Sequence, residues 1–155
     1  RLVLASPAIS GFQFDGPPPP QADALDAAEA AGDLALVNEL EMQIWIDGPY
    51  RSTEDVDPRV RTLAAEMNAI ALANEGIGEE LPPVCPAAGR TGDVNVPVLV
   101  IHGGLDTPRT LAAADFLADK LPDVQRVVMS GLTHLPNMEQ PEAFTHLVAE
   151  FLSAA

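Results

Sequence analysis

The sequence is short of the residue types on which disulfide frameworks and metal sites depend. It contains one cysteine, Cys85, and three histidines among 155 residues. A single cysteine cannot form an internal disulfide, and the histidines are too far apart in the sequence to show a metal-ligand spacing. We therefore predict that the protein holds no metal and that Cys85 is an ordinary thiol in a proline-rich loop.

Positive charge is also scarce, and no long hydrophobic run is present. Eight lysines and arginines stand against 23 aspartates and glutamates, which gives a formal net charge of −15. Nucleic acids and anionic membranes are recognised by basic surfaces, so we expect neither as a partner. Because no apolar run approaches the roughly 20 residues of a membrane helix, we expect a cytoplasmic protein.

The hydrophobic residues that are present follow the pattern of an α/β protein. Residues 2–5 form a continuous apolar run and residues 97–102 a largely apolar one, as in strands that are buried in a parallel sheet, and residues 124–129, which end in Val127, Val128 and Met129, are predicted to form another strand. Helical periodicity follows the later two runs, at 110–121 and from Pro141 onward. A strand–helix–strand–helix order with short links predicts a parallel sheet with right-handed crossovers.

A helical region is predicted between the first and second strands. A proline tract at residues 17–20 marks its boundary, and Asp23, Asp33 and Asp57 are each placed to cap a following helix. The second of these helices is predicted to continue to Trp45. Because no strand intervenes, the helices are interpreted as a layer inserted into the sheet domain. In the third helix the apolar residues at helical spacing are Val60, Leu63, Met67 and Ile70.

Two ionisable residues follow neighbouring strands of the predicted sheet. Asp106 comes just after the strand at 97–102, and His134 just after the strand at 124–129. Parallel strands end at the same edge of a sheet, so the carboxylate and the imidazole can come within hydrogen-bonding distance. That pairing is the acid–base half of a nucleophile–histidine–acid triad.

No residue has the sequence setting of the nucleophile. Ser6 and Ser10 lack small residues on both sides in a strand–turn–helix segment, and Cys85 lies in a loop. Ser6 also precedes a proline, which predicts an extended conformation for it. We therefore expect none of the three to be the nucleophile.

Three segments taken together resemble the C-terminal part of the α/β-hydrolase fold. They are VLVIHGGLD at residues 98–106, GLTHLPNMEQP at 131–141, and the closing helix. The order of the acid before the histidine is that of this fold. Residues 1–14 are similar to the strand and loop that lead into the family's cap, and residues 21–80 are loosely similar to the helical cap itself. The chain is accordingly divided into a core strand and loop at 1–14, a helical cap with linkers at 15–90, and the C-terminal core at 91–155.

The resemblance implies roles for particular residues. Asp106 would be the acid and His134 the general base. From its place in the sequence, Glu139 is expected to support the histidine loop or to cap the final helix. His102 is expected to be a structural hydrogen-bonding residue near the site, and His146 a surface residue. No cofactor is implied. The resemblance implies substrate contacts at Phe12, Phe14 and Leu135, and Trp45, the single tryptophan, either anchors the cap or forms a wall of the pocket.

The Gly-x-Ser-x-Gly turn of the family and its His-Gly oxyanion loop are not in this sequence. Both lie upstream in family members, so we expect the partner of this chain to be the N-terminal half of the same enzyme. The segment alone is expected to be inactive. The implied function is cofactor-independent hydrolysis of a small, mostly apolar ester, amide or related bond. The alternatives are a dehalogenase, an epoxide hydrolase or a perhydrolase of the same fold, or a non-catalytic member that binds a ligand or partner.

Overall fold

The computed structural model describes residues 1–78, 81 and 83–154. The chain separates into two compact units. The sheet unit comprises Arg1–Gly16 and Pro83–Ala155, and the helical unit comprises Pro17–Pro82. The part of the predicted cap and linker that falls on residues 79, 80 and 82 lies outside the described residues. The role of the helical unit as a cap stays a prediction.

The secondary structure alternates as the sequence predicts in the sheet unit. Its strands are β1 (Leu2–Ala5), β2 (Val98–Gly103) and β3 (Val124–Met129). The α-helices of the chain are α1 (Ala22–Ala31), α2 (Leu34–Glu41), α3 (Pro58–Ala73), α4 (Pro108–Lys120), α5 (Pro136–Glu139) and α6 (Pro141–Ser153). A π-helix spans Met42–Asp47, and short 3-10 turns lie at Thr53–Asp55, Ala87–Gly89 and Thr91–Asp93.

The three strands form one parallel sheet in the order β1-β2-β3. Leu2 is level with Val98, and Val98 is level with Val124, so the strands run in register and their carboxyl ends meet at one edge. The parallel α/β sheet predicted from the sequence is therefore confirmed. The turns after β2 and β3 leave the sheet at this shared edge, where the candidate site is built.

The middle strand forms the core of the sheet unit. Every residue of β2 is buried. On one face Val98 and Val100 pack against Leu117 of α4, and on the other Leu99 and Ile101 pack in the cluster that includes residues of α6. Covering both faces with helices explains why a continuous apolar run, rather than an alternating one, encodes this strand.

The first strand is less buried than predicted. The sequence predicts burial on both faces for residues 2–5, but Leu2 and Ala5 are exposed and the other two are half-buried. Among the described residues β1 pairs only with β2, so it is an edge strand with incompletely covered faces. Ser6, which follows, was expected to be extended. It instead adopts the left-handed region with φ 42°, a strained conformation for a non-glycine residue.

Two of the three predicted helix caps are present in the helical unit. The side chain of Asp33 accepts a hydrogen bond from the Leu36 N–H, and that of Asp57 from the Arg59 N–H. The third is wrong: α1 begins at Ala22, so Asp23 lies inside its first turn. The prediction of a regular second helix up to Trp45 is also wrong, because α2 ends at Glu41 and the π-helix continues from it.

The apolar stripe of α3 is largely exposed. Leu63, Met67 and Ile70 are 50%, 57% and 66% exposed. The face that packs within the helical unit is instead polar at two positions, where Arg61 and Asn68 form hydrogen bonds to side chains of α2. The periodicity predicts the helix correctly but not the face by which it packs.

Candidate active site

The structure brings Asp106 and His134 together at the carboxyl edge of the sheet. Nδ1 of His134 lies 3.0 Å from Oδ2 and 3.1 Å from Oδ1 of Asp106. The carboxylate is completely buried, whereas 27% of the histidine side chain is exposed. The acid is therefore shielded from water while the imidazole is accessible from the surface.

The loop that contains Asp106 is held against the loop that contains His134. The N–H of Gly104 donates to the Met129 carbonyl, and the N–H of Leu105 donates to the Leu132 carbonyl, both at 2.9 Å. Gly103 has no room for a side chain, since a Cβ there would lie 2.2 Å from the Thr133 carbonyl oxygen. Backbone contacts thus fix the separation of the two loops.

Asp106 is oriented by its own helix start. The Thr107 N–H donates to Oδ1 of Asp106 at 2.6 Å. Thr107, rather than Asp106, is the N-cap of α4, because its hydroxyl accepts from the Thr110 N–H. The helix begins at Pro108, earlier than the predicted start at Thr110. The carboxylate of Asp106 is therefore available to the histidine.

Glu139 holds the loop that contains His134. Gly131 makes the turn after β3 with φ 78°, a conformation that favours glycine. Oε1 of Glu139 then accepts hydrogen bonds from the N–H and the hydroxyl of Thr133, at 3.0 and 3.1 Å. Thr133 is 1% exposed, and these partly buried interactions hold the residue immediately before His134.

A second histidine supports the acid loop. His102 is buried, its Nδ1 is 2.8 Å from the Gly103 carbonyl oxygen, and its Nε2 is 3.0 Å from Nε of Arg126. Because Arg126 can only donate, Nε2 must be the acceptor and Nδ1–H must donate to Gly103. Arg126 also pairs with Asp115 of α4. Sequence analysis missed Arg126; its place on the α4 face of β3, near His102 of β2, was the available signal.

The remaining candidates occupy different surroundings. Leu135 follows His134 and is half-buried, as are Phe14 and Trp45. Phe12 packs against Phe116 of α4, with ring centroids 5.2 Å apart. Substrate contact by these four residues stays a prediction. Residues outside the site are Ser10, whose hydroxyl accepts from the Ala87 N–H, the exposed Cys85, and His146, which pairs with Glu150 on the surface of α6.

The arrangement has the chemistry of an acid–base pair. A buried carboxylate beside Nδ1 holds the proton on that nitrogen, which leaves Nε2 as the basic atom and stabilises the imidazolium once it forms. Within residues 1–78, 81 and 83–154, no three histidine, cysteine, aspartate or glutamate side chains are grouped so that they could hold a metal ion. None of the described helices has the length and hydrophobicity to cross a membrane.

Two curated relatives share the sequence in part. The chain is 35% identical over 102 residues to a pimeloyl-[acyl-carrier protein] methyl ester esterase of Aromatoleum aromaticum, a match that covers 61% of this chain and 40% of that protein. It is 44% identical over 104 residues to the enzyme of the same name from Yersinia enterocolitica, covering 58% of this chain and 40% of that protein. The chain thus spans less than half the length of these relatives. No protein-family model matches it.

Solved structures show the same fold. MenH from S. aureus superposes with a TM-score of 0.66 at 19% identity, over 97% of this chain and 57% of that one. A hydrolase from Pseudomonas aeruginosa superposes with a TM-score of 0.66 at 23% identity, over 99% of this chain and 56% of that one. Together with the sequence relatives, these structures confirm the fold that the sequence motifs predicted.

Proposed function

Since the chain belongs to the α/β-hydrolase superfamily, we propose that its protein is a cofactor-independent hydrolase in which Asp106 and His134 are the acid and the general base. The observation that supports this most directly is the 3.0 Å contact between His134 Nδ1 and the fully buried carboxylate of Asp106. A surface ion pair would leave both groups in water. Here the carboxylate faces the imidazole from the interior, as tautomer control requires.

The proposed reaction has two steps through a covalent intermediate. Nε2 of His134 takes the proton of a nucleophile, which attacks the carbonyl carbon, and the imidazolium then protonates the leaving group. A water molecule, deprotonated by His134, then attacks the carbonyl carbon of the acyl intermediate. The imidazolium returns the proton to the nucleophile, which leaves, and the carboxylic acid is released. We assign the nucleophile to a serine outside this chain, within the part of the protein that corresponds to the rest of the relatives' length.

The proposed substrate is a small ester with a mostly apolar body. The curated relatives named as methyl ester esterases support an ester as the bond that is cleaved. The net charge of −15 disfavours a strongly anionic substrate. The residues proposed to contact the substrate are Trp45, Phe12, Phe14 and Leu135.

The test is His134→Ala in the full-length protein, assayed with p-nitrophenyl esters of increasing acyl length. We expect kcat/KM to fall by at least about a thousandfold, the usual scale for losing the base of a triad. His146→Ala is the matched control, because that histidine is exposed on α6, and it should leave turnover unchanged. A His134→Ala enzyme with most of its activity would refute the proposal.

A fluorophosphonate probe on the same protein distinguishes an enzyme with a serine nucleophile from a dehalogenase, an epoxide hydrolase and a non-catalytic binding protein. Covalent labelling of one serine supports the esterase. An unlabelled protein that still hydrolyses haloalkanes or epoxides would have an aspartate nucleophile. An unlabelled protein with no hydrolytic activity would be a binding protein that retains the fold.

A further inference from the structure

The π-helix at Met42–Asp47 lies in the helical unit and contains the chain's single tryptophan, Trp45. π-Helices are rare and occur mostly as single turns, often at functional sites. Their i→i+5 bonds place about one more residue in each turn than an α-helix does, so the side chains point in different directions. A segment of this kind persists only if its surroundings hold it.

The last residue of the π-helix is a buried aspartate held by a partly exposed arginine. Asp47 is 4% exposed. Its carboxylate accepts hydrogen bonds from Nε of Arg61 at 3.0 Å, from Nη2 of Arg61 at 3.1 Å, and from the hydroxyl of Thr53 at 2.9 Å. A buried carboxylate is costly unless it is paired and hydrogen-bonded, so this end of the π-helix depends on Arg61.

The same arginine also holds the helix that precedes the π-helix. Nη1 and Nη2 of Arg61 donate to the two carboxylate oxygens of Glu39 in α2, at 3.2 and 2.7 Å. These hydrogen bonds hold the pKa of Glu39 below its ordinary value, and together with Asp47 they raise the pKa of Arg61. Arg61 therefore bridges a residue before the π-helix and the residue that ends it.

A second arginine supports the carbonyl end of the π-helix. Nη2 of Arg51 donates to the Ile46 carbonyl at 2.6 Å, and its Nε donates to the Asp47 carbonyl at 3.2 Å. The last carbonyls of a helix have no partner within it, and a cation there is favourable. Arg51 contacts backbone carbonyls, whereas the side chain of Asp47 accepts its hydrogen bonds from Arg61 and Thr53.

We propose that Arg61 is a positioning residue for the substrate: by bridging Glu39 and Asp47 it keeps residues 42–47 in the π form and thereby sets the direction of Trp45. This inference rests on the proposed function, in which Trp45 contacts the substrate. Arg61 touches no reacting atom in that proposal. Its loss should therefore weaken substrate binding and leave the chemical step intact, which separates it from His134.

The test compares Arg61→Met and Arg61→Lys with Arg59→Met in the full-length protein. Arg59 is the matched control because it lies on the same helix, its side chain is 90% exposed, and it pairs with the nearby Asp57. The readouts are the emission of Trp45, isolated by subtracting the Trp45→Phe spectrum, and kcat and KM on an ester series.

We expect Arg61→Met to shift the Trp45 emission and raise KM for the longer apolar esters by about tenfold, with kcat within about threefold of the parent. Arg61→Lys should show an emission shift and a KM between those of Arg61→Met and the parent. Arg59→Met should have the emission and the KM of the parent. If Arg61→Met does not fold, Thr53→Val can replace it, because this variant removes a single hydrogen bond to Asp47. It should raise KM in the same direction by a smaller factor.

Unchanged emission and unchanged KM in folded Arg61 variants would overturn the inference. A fall in kcat with KM constant would overturn it as well, since that result assigns Arg61 to the chemical step. A parent protein without hydrolase activity refutes the proposed function instead. In that case the emission of Trp45 still decides whether Arg61 holds the π-helix.

Discussion

The N–H of Leu105 donates to the carbonyl of Leu132 at 2.9 Å, one residue before Asp106 and two before His134. The acid loop and the histidine loop are therefore joined through their backbones beside the side-chain pair. Side-chain entropy alone would oppose holding a carboxylate and an imidazole in one geometry. Here the backbone hydrogen bonds fix the positions of the two loops, so that only the side-chain rotamers of the pair remain to be ordered.

Asp106→Asn should be nearly as harmful as loss of the histidine. The amide is close in size to the carboxylate, so the fold should persist, but it can donate to Nδ1 and favour the wrong tautomer. We expect kcat to fall by about a thousandfold to ten-thousandfold. Asp119→Asn is the control, since Asp119 pairs with Lys120 at the exposed end of α4. Activity within tenfold of the parent would remove Asp106 from the site.

Gly103→Ala should loosen the contact between the two loops. The new Cβ would lie 2.2 Å from the Thr133 carbonyl oxygen and 2.3 Å from that of Leu132, both rigid backbone atoms. Overpacking of this kind costs about 1–3 kcal/mol, and the displaced loop should also lower turnover. Gly89→Ala is the control, because nothing lies within 4 Å of a Cβ there. Thermal unfolding and ester turnover measure the two effects, and equal Tm values for the two variants would contradict the close approach.

Ser6→Gly should preserve activity and should not lower stability. The φ of 42° is strained for serine and unstrained for glycine, and the buried Ser6 hydroxyl has no hydrogen-bond partner among the described residues. We expect a gain of up to about 1 kcal/mol in the free energy of unfolding, measured by urea titration. Abolished turnover in a folded variant would make Ser6 a candidate nucleophile.

The helical unit should lose stability in acid through Glu39. Its pKa lies below the ordinary 4.5, chiefly because Arg61 hydrogen-bonds to the carboxylate. A carboxyl group with a lowered folded-state pKa stabilises the fold above its unfolded pKa, and this contribution disappears as the pH falls through the lowered value. We expect the Trp45 emission to be constant above about pH 4.5 and to change below it. In Arg61→Met this step should be absent, and a step of equal size there would assign the effect to another group.

The sequence predicts the sheet and the proximity of Asp106 and His134 because both depend on local pattern. Apolar runs followed by Asp106 and His134 are sufficient to place the two residues at one edge, since parallel strands in register end together. The apolar pattern of residues 2–5 predicts a strand but does not show which neighbours cover it, and among the described residues β1 pairs only with β2 and is partly exposed. The His102–Arg126 contact joins two strands, and the periodicity of each strand places the two side chains on one face of the sheet without showing that they pair.

The π-helix could not be predicted for a similar reason. Residues 34–45 have an ordinary helical pattern, and the change to i→i+5 bonding is accompanied by contacts from Arg51 and Arg61, which lie later in the chain. These polar contacts also explain why Leu63 and Met67 of α3 are exposed. The helix packs through the face that contains Arg61, although another face is more apolar.

Cys85 is the sole cysteine of the chain, is exposed, and belongs to the sheet unit, whereas the sole tryptophan belongs to the helical unit. A thiol-reactive dye that absorbs indole emission would therefore attach to one unit and accept energy from the other. Resonance energy transfer between them, followed while an ester analogue is added, would report any change in the separation of the two units without a mutation in this segment.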